Sequence, residues 1–133
     1  MSYYNKIKGY IVSVDNNQKI KIEVNDEDSL NKINNLISKL KKKKSGKLPI
    51  DKECDNRFLI KVNNNTKFKF QNINYNNLSD LHGVEVCITF YYKYYNFKIL
   101  VDDDAIKDKK KEVFIQGHSF IATKISNINI FNA

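Results

Sequence analysis

The residues of this chain best suited to chemistry lie in one run, Phe90-Tyr91-Tyr92-Lys93-Tyr94-Tyr95-Asn96-Phe97-Lys98. Four tyrosines around one lysine make a poor core, because each buried hydroxyl must find a hydrogen-bond partner. They suit a surface on which nucleobases stack, an interaction worth about 1–3 kcal/mol per base and tolerant of sequence. On a strand whose inward row is Val84, Val86, Ile88 and Phe90, the outward row is Cys87, Thr89, Tyr91, Lys93 and Tyr95. Phe97 and Lys98 prolong the run, and outward positions of a neighbouring hairpin add Arg57, Lys61, Lys67 and Lys69. The expected site is a groove with an aromatic floor and a basic rim. The competing explanation is structural: tyrosine is a favoured strand residue, and two of the four would then cap the ends of a barrel.

A second positive cluster is Lys41-Lys42-Lys43-Lys44, flanked by Lys39 and Lys47. It reads as a clamp on a phosphate backbone acting through counterion release, as the solvated end of a helix, or as a nuclear-targeting run. The whole chain has 23 Lys and Arg against 15 Asp and Glu, a net charge of +8, which attracts polyanions. Arg57 is the sole arginine, and Lys, Asn, Ile, Tyr and Phe abound, as in proteins encoded by AT-rich genes. The placement of charge therefore carries more information than its sum.

Other chemistries find little support. Asp102-Asp103-Asp104 lacks the spaced ligands and glycine of a calcium loop and reads as a solvated turn. His82, His118, Cys54 and Cys87 could supply zinc ligands, but no CxxC or HxxxH spacing joins them. His118, between Gly117 and Ser119, reads as a satisfied, partly buried imidazole, and Cys87 as a small buried hydrophobe. No phosphate loop, nucleophile elbow or HExxH motif occurs, so no catalytic residue, cofactor or metal is expected. Two cysteines make no disulfide framework, which points to an intracellular protein. No stretch approaches the roughly 18 apolar residues that span a bilayer, and no apolar signal-peptide core opens the chain.

The elements that must position these residues follow from periodicity. Lys6–Val14, a turn at Asp15-Asn16-Asn17 and the alternating Lys19–Val24 predict a hairpin. Leu30, Ile33, Ile37 and Leu40, with Leu36 beside them, predict a helix over Ser29–Lys43. Asp26, Asp28 or Ser29 would cap it, and Lys41–Lys44 suit the negative end of its dipole. Ser45–Asn56, with Gly46 and Pro49, reads as a loop. Arg57–Val62 and Thr66–Phe70 around Asn63-Asn64-Asn65 predict a second hairpin, and Asn76–Leu81 a helical turn ended by Gly83. Val84–Phe97 is a long strand, Asp102–Lys111 a charged loop, and Glu112–Ile125 a last strand bent at Gly117. The fold class is mainly β with one or two helices (α+β), as a five- to six-stranded Greek-key barrel. One domain spans residues 1–126, with a tail at 127–133.

The segment LSDLHGVEVCITFYYKYYNFK, the charged loop after it and GHSFIATKI resemble the C-terminal half of small OB-fold single-stranded-DNA-binding proteins of large DNA viruses and virus-like linear plasmids. The resemblance covers about a third of the chain and implies an OB-like barrel. It also implies that Tyr91, Lys93, Tyr95 and Phe97 line the strand-binding face, overhung by the Asp102–Lys111 loop. The first half departs from that family's plain layout, because its helix follows the second strand and not the third.

Residues and resemblance together predict a sequence-tolerant binder of single-stranded DNA or RNA that serves replication. The alternatives are an accessory subunit of a replication or transcription complex, whose tyrosines form a protein interface, and a duplex reader using the helix. The last is weakened because that helix has no arginine, the commonest reader of guanine.

Overall fold

The computed structural model describes residues 4–15, 18–43, 45–71, 73, 75–107 and 109–127. Strands β1 (Tyr4–Val14) and β2 (Lys19–Glu23) form the expected antiparallel hairpin, with Ile11 opposite Ile22 and Val14 opposite Ile20. Helix α1 (Glu27–Lys43) follows, then β3 (Arg57–Lys61), β4 (Lys67–Lys69), a 3₁₀ turn (Leu78–Leu81), β5 (Glu85–Asp102) and β6 (Lys110–Asn127). β1 pairs with β2 on one edge and β5 on the other; β2 pairs with β3, and β5 with β6, all antiparallel. A parallel contact of Lys61 in β3 with Ile121 in β6 closes these five strands into a barrel. β4 is an added sixth strand, parallel to β6 from Lys67–Lys124 to Lys69–Ser126.

The alternation that predicted the strands also fills the barrel. Ile7 and Ile11, Ile20 and Ile22, Phe58 and Ile60, Val86, Ile88 and Phe90, and Phe120, Ala122 and Ile125 are all buried. Phe90 and Phe120 meet with ring centroids 4.8 Å apart. α1 lays Ile33, Ile37 and Leu40 onto this core, and each such burial is worth about 1.5–3 kcal/mol. The helix begins two residues earlier than its periodicity predicted, because Asp26 is the cap: its Oδ2 accepts from the Ser29 amide at 3.0 Å. Hydrogen bonds from the Ser29 hydroxyl and amide hold the Asp26 carboxyl below the usual carboxylate range.

Four expectations are corrected. Arg57–Val62 and Thr66–Phe70 do not form a hairpin, since β3 and β4 take successive stretches of the same β6 edge. The Asn63–Thr66 turn serves this crossing: its amide, hydroxyl and Asn side-chain groups bond within the turn, and the Thr66 hydroxyl donates to the Ala122 carbonyl at 2.6 Å. β5 and β6 run beyond their expected ends at Phe97 and Glu112, into the predicted charged loop, each spanning 18 residues and pairing out to Asp102–Lys110. β6 shifts register by a bulge at Thr123: Thr89 faces Lys124 while Phe90 faces Ala122. That extra residue keeps both Ile125 and Ala122 on the core side, which strict alternation would forbid. Cys87 sits half-buried on the outward row of β5 and not in the core. Of the expected tail, Asn127 ends β6, and 128–133 lie outside the described residues.

Thr66→Val keeps the shape of the side chain but removes the donor to Ala122. It should destabilise the protein by about 1–3 kcal/mol in a denaturant titration, while Asn64→Ser in the exposed turn changes little. An unchanged midpoint for Thr66→Val would show that the crossing turn does not hold the barrel closed.

Candidate nucleic-acid interface

Strand parity divides the tyrosine run into two groups. Tyr92 and Tyr94 continue the inward row and close around His118, which is buried. The Tyr92 hydroxyl lies 2.6 Å from His118 Nδ1, and the two rings stack at 5.7 Å. Tyr94 packs on the same imidazole at 5.3 Å, and its hydroxyl donates to the Ser45 carbonyl and to Gln116 Oε1. Burial, with the nearby Tyr94 adding to it, pushes the Tyr92 phenol above its ordinary value, so it stays a neutral partner for the ring. These two tyrosines serve the barrel.

Tyr91, Lys93, Tyr95 and Phe97 occupy the outward row. Tyr91 is half-buried and meets Tyr4 edge-on, centroids 6.2 Å apart. Tyr95 is half-buried beside exposed Phe97, at 6.2 Å. Lys61 Nζ sits 5.7 Å from the Tyr95 ring centroid, which places a β3 cation over a β5 aromatic across β6. The partner of Tyr95 on β6 is Gly117, whose missing side chain leaves room for the Tyr95 ring to lie over that strand. A Cβ there would stand 2.3 Å from the Tyr95 hydroxyl and 3.0 Å from the Lys47 carbonyl.

Gly117 receives the loop after α1 as well. Lys47 forms a parallel bridge to it, and the His118 amide donates to the Lys47 carbonyl at 2.8 Å. Gly46, at φ +132°, approaches so closely that a Cβ on it would lie 2.7 Å from Gly117 Cα. Docking of this loop brings Lys47 to a cleft that it shares with Lys19, Lys61, Leu48, Leu59 and Tyr95. The cleft holds about 50 Å³, well short of the roughly 300–1,000 Å³ of pockets that enclose a small-molecule ligand. A ligand as large as a nucleotide would therefore lie across it. No carboxylate lines it, and Lys19, Lys47 and Lys61 make no ion pair among the described residues.

The remaining sequence-predicted cations are placed differently. Arg57 is engaged by Glu23 at 3.2 Å, and that hydrogen bond raises its already high pKa. Lys98 faces the opposite side of β5, paired with Glu112 at 3.3 Å and lying over Phe114. Lys67 and Lys69 are exposed on β4, beside the far end of β6 from the cleft. Lys41, Lys42 and Lys43 are exposed in the last turn of α1, and Lys44 falls outside the described residues. The groove is thus narrower than the sequence pattern drew it. Its rim gains Lys19 and Lys47, which no local signal tied to Tyr95. Of Asp102-Asp103-Asp104, Asp102 ends β5 and pairs with Lys110, while Asp103 and Asp104 lead into the turn, Asp103 accepting from the Ala105 amide. Among the described residues no three His, Cys, Asp or Glu side chains converge as metal ligands, and no helix is long and apolar enough to cross a membrane.

The chain matches no known family model, no curated protein and no solved structure.

Gly117→Ala is expected to leave the barrel folded while driving the Tyr95 ring off its seat. In NMR spectra the Tyr95 ring resonances should shift strongly and those of Phe90 and Phe120 little. Unmoved Tyr95 resonances would contradict the close approach at Gly117.

Proposed function

We propose that this chain is an OB-like protein that binds single-stranded nucleic acid, DNA or RNA, on the outer face where β2 and β3 meet Tyr95. The reading rests foremost on Tyr95 held over Gly117 with Lys61 beside its ring and Lys19 and Lys47 on the same cleft. An aromatic platform supplies stacking to any base, and three cations that have no carboxylate partner among the described residues supply phosphate contacts. The ring of strands, β1-β2-β3-β6-β5 closed by a parallel β3–β6 contact, supports the OB-like assignment. In that fold the face of the second and third strands takes oligonucleotides. Lys93 and exposed Phe97 extend the surface along β5, and Tyr91, committed to Tyr4, contributes less. Lys41, Lys42 and Lys43 act as a peripheral electrostatic patch. Coating single strands during replication is the role such a sequence-tolerant surface fits.

Binding of a labelled oligothymidylate, followed by anisotropy over a series of salt concentrations, tests the site. Tyr95→Ala should weaken binding by about 1–3 kcal/mol, roughly 5- to 150-fold. Changing Lys19, Lys47 and Lys61 together to Ala should flatten the slope of log K against log salt by about 2, at roughly 0.7 per phosphate contact. Arg57→Ala and Lys98→Ala should have small effects. Wild-type affinity and slope in both the tyrosine and the triple-lysine variants would refute the site.

A further inference from the structure

β5 and β6 outrun the barrel. Among the described residues, β1 pairs with β5 no further than Tyr91, and the last segment bonded to the other edge of β6 is Lys47, at Gln116–His118. From Phe97–Ile115 to Asp102–Lys110 the two strands pair only with each other among the described residues. A two-stranded ribbon of this kind is marginal in water without something packed on it.

Its two faces differ. One carries Asn96, Lys98, Leu100 and Asp102 opposite Gln116, Phe114, Glu112 and Lys110, and is tied by the Lys98–Glu112 and Lys110–Asp102 ion pairs. The other presents Phe97, Ile99 and Val101 beside Ile115 and Val113, with no charge before Lys111. That second face has the composition of a core face and is nevertheless half-buried or exposed. It lacks the cations that a phosphate backbone needs, so its complement is an apolar protein surface.

We propose that the complement is the same face of a second copy, the two arms stacking antiparallel about a two-fold axis near Ile99, so that Phe97 of each copy meets Val101 of the other. A two-fold contact requires a self-complementary patch, and this one is uncharged at its centre. Its flanks are complementary too. The tip, residues 102–112, carries five acids against four lysines, whereas the rest of the chain is net +9. Antiparallel stacking brings the Asp103-Asp104 turn of one copy towards Lys93 at the base of the other arm. Stacked sheets of this kind sit about 10 Å apart with interdigitating side chains. The inference does not rest on nucleic-acid binding: the arm face shares Phe97 and the base Lys93 with the proposed strand-binding surface, but none of the Lys19–Lys47–Lys61 rim.

Sedimentation equilibrium of the full chain across a wide concentration range tests it. The wild type should approach twice 15.6 kDa, and Ile99→Glu should raise the dimer dissociation constant about 30-fold or more, the size of an interface hot spot. Leu100→Glu, on the ion-paired face, should leave the dimer intact. Circular dichroism melts should show both variants folded. As a second readout, Ile99→Cys in a Cys54→Ser, Cys87→Ser background should form a disulfide-linked dimer on mild oxidation. A wild type monomeric throughout, or equal dissociation by Ile99→Glu and Leu100→Glu, would overturn the proposal. So would a monomer that loses oligonucleotide affinity on Ile99→Glu, which would assign the face to nucleic acid.

Discussion

One edge of β6 governs the architecture. β5 is hydrogen-bonded to its other edge along the whole strand, so the remaining edge must be covered or left as a template for aggregation. Three segments running parallel to β6 cover it in sequence: Lys47 at Gly117, Lys61 at Ile121, and Lys67–Lys69 at Lys124–Ser126. The middle contact closes the barrel and the flanking two extend the cover. As a result residues 117–122 are all buried although they belong to an outer strand. The same arrangement sets Lys61 beside Tyr95 and carries Lys47 to the cleft, so closure of the fold and assembly of the proposed site are one event.

The charge of the protein becomes more selective when its partners are counted. Lys21, Arg57, Lys98 and Lys110 each face a carboxylate in the structure. Such exposed pairs contribute little to stability, with a median near 0–1 kcal/mol, but they lower the local potential offered to a polyanion. Lys19, Lys47 and Lys61 keep theirs, and they surround an aromatic ring. A net charge of +8 spread over this chain would attract any polyanion; under the proposed function these three, without an ion pair among the described residues, give that attraction a place beside a ring that can stack.

Much of this was legible in the residues. Strict alternation in Lys19–Val24 and in Val84–Phe90 gave the correct inward rows, and the three- and four-residue spacing of Ile33, Ile37 and Leu40 gave the helix face that is buried. Parity alone separates Tyr92 and Tyr94 from Tyr91 and Tyr95. The misreadings share a cause, which is that their determinants are distant in the chain. The 57–70 segment looks like a hairpin because its turn chemistry is local, whereas the bond that redirects it joins Thr66 to Ala122, 56 residues on. The β6 bulge has no local signature, since Thr123 is a normal strand residue. Arg57 was indistinguishable from Lys61 until Glu23 was placed beside it, whereas the parity of Lys98 already set it on the row of Tyr92 and Tyr94. Gly117 read as a bend, and its actual use, admitting Tyr95 and the Gly46 loop, depends on two segments that only the fold brings together.

Ultraviolet cross-linking of an iodouracil-containing oligonucleotide, with the adducts located by peptide mass spectrometry, tests the proposed binding face directly. Adducts should concentrate on Tyr95, with Lys61 and Lys47 next. Adducts confined to Lys41–Lys43 or to β4, or none above the level given by an unrelated basic protein, would contradict a strand-binding face built on Tyr95.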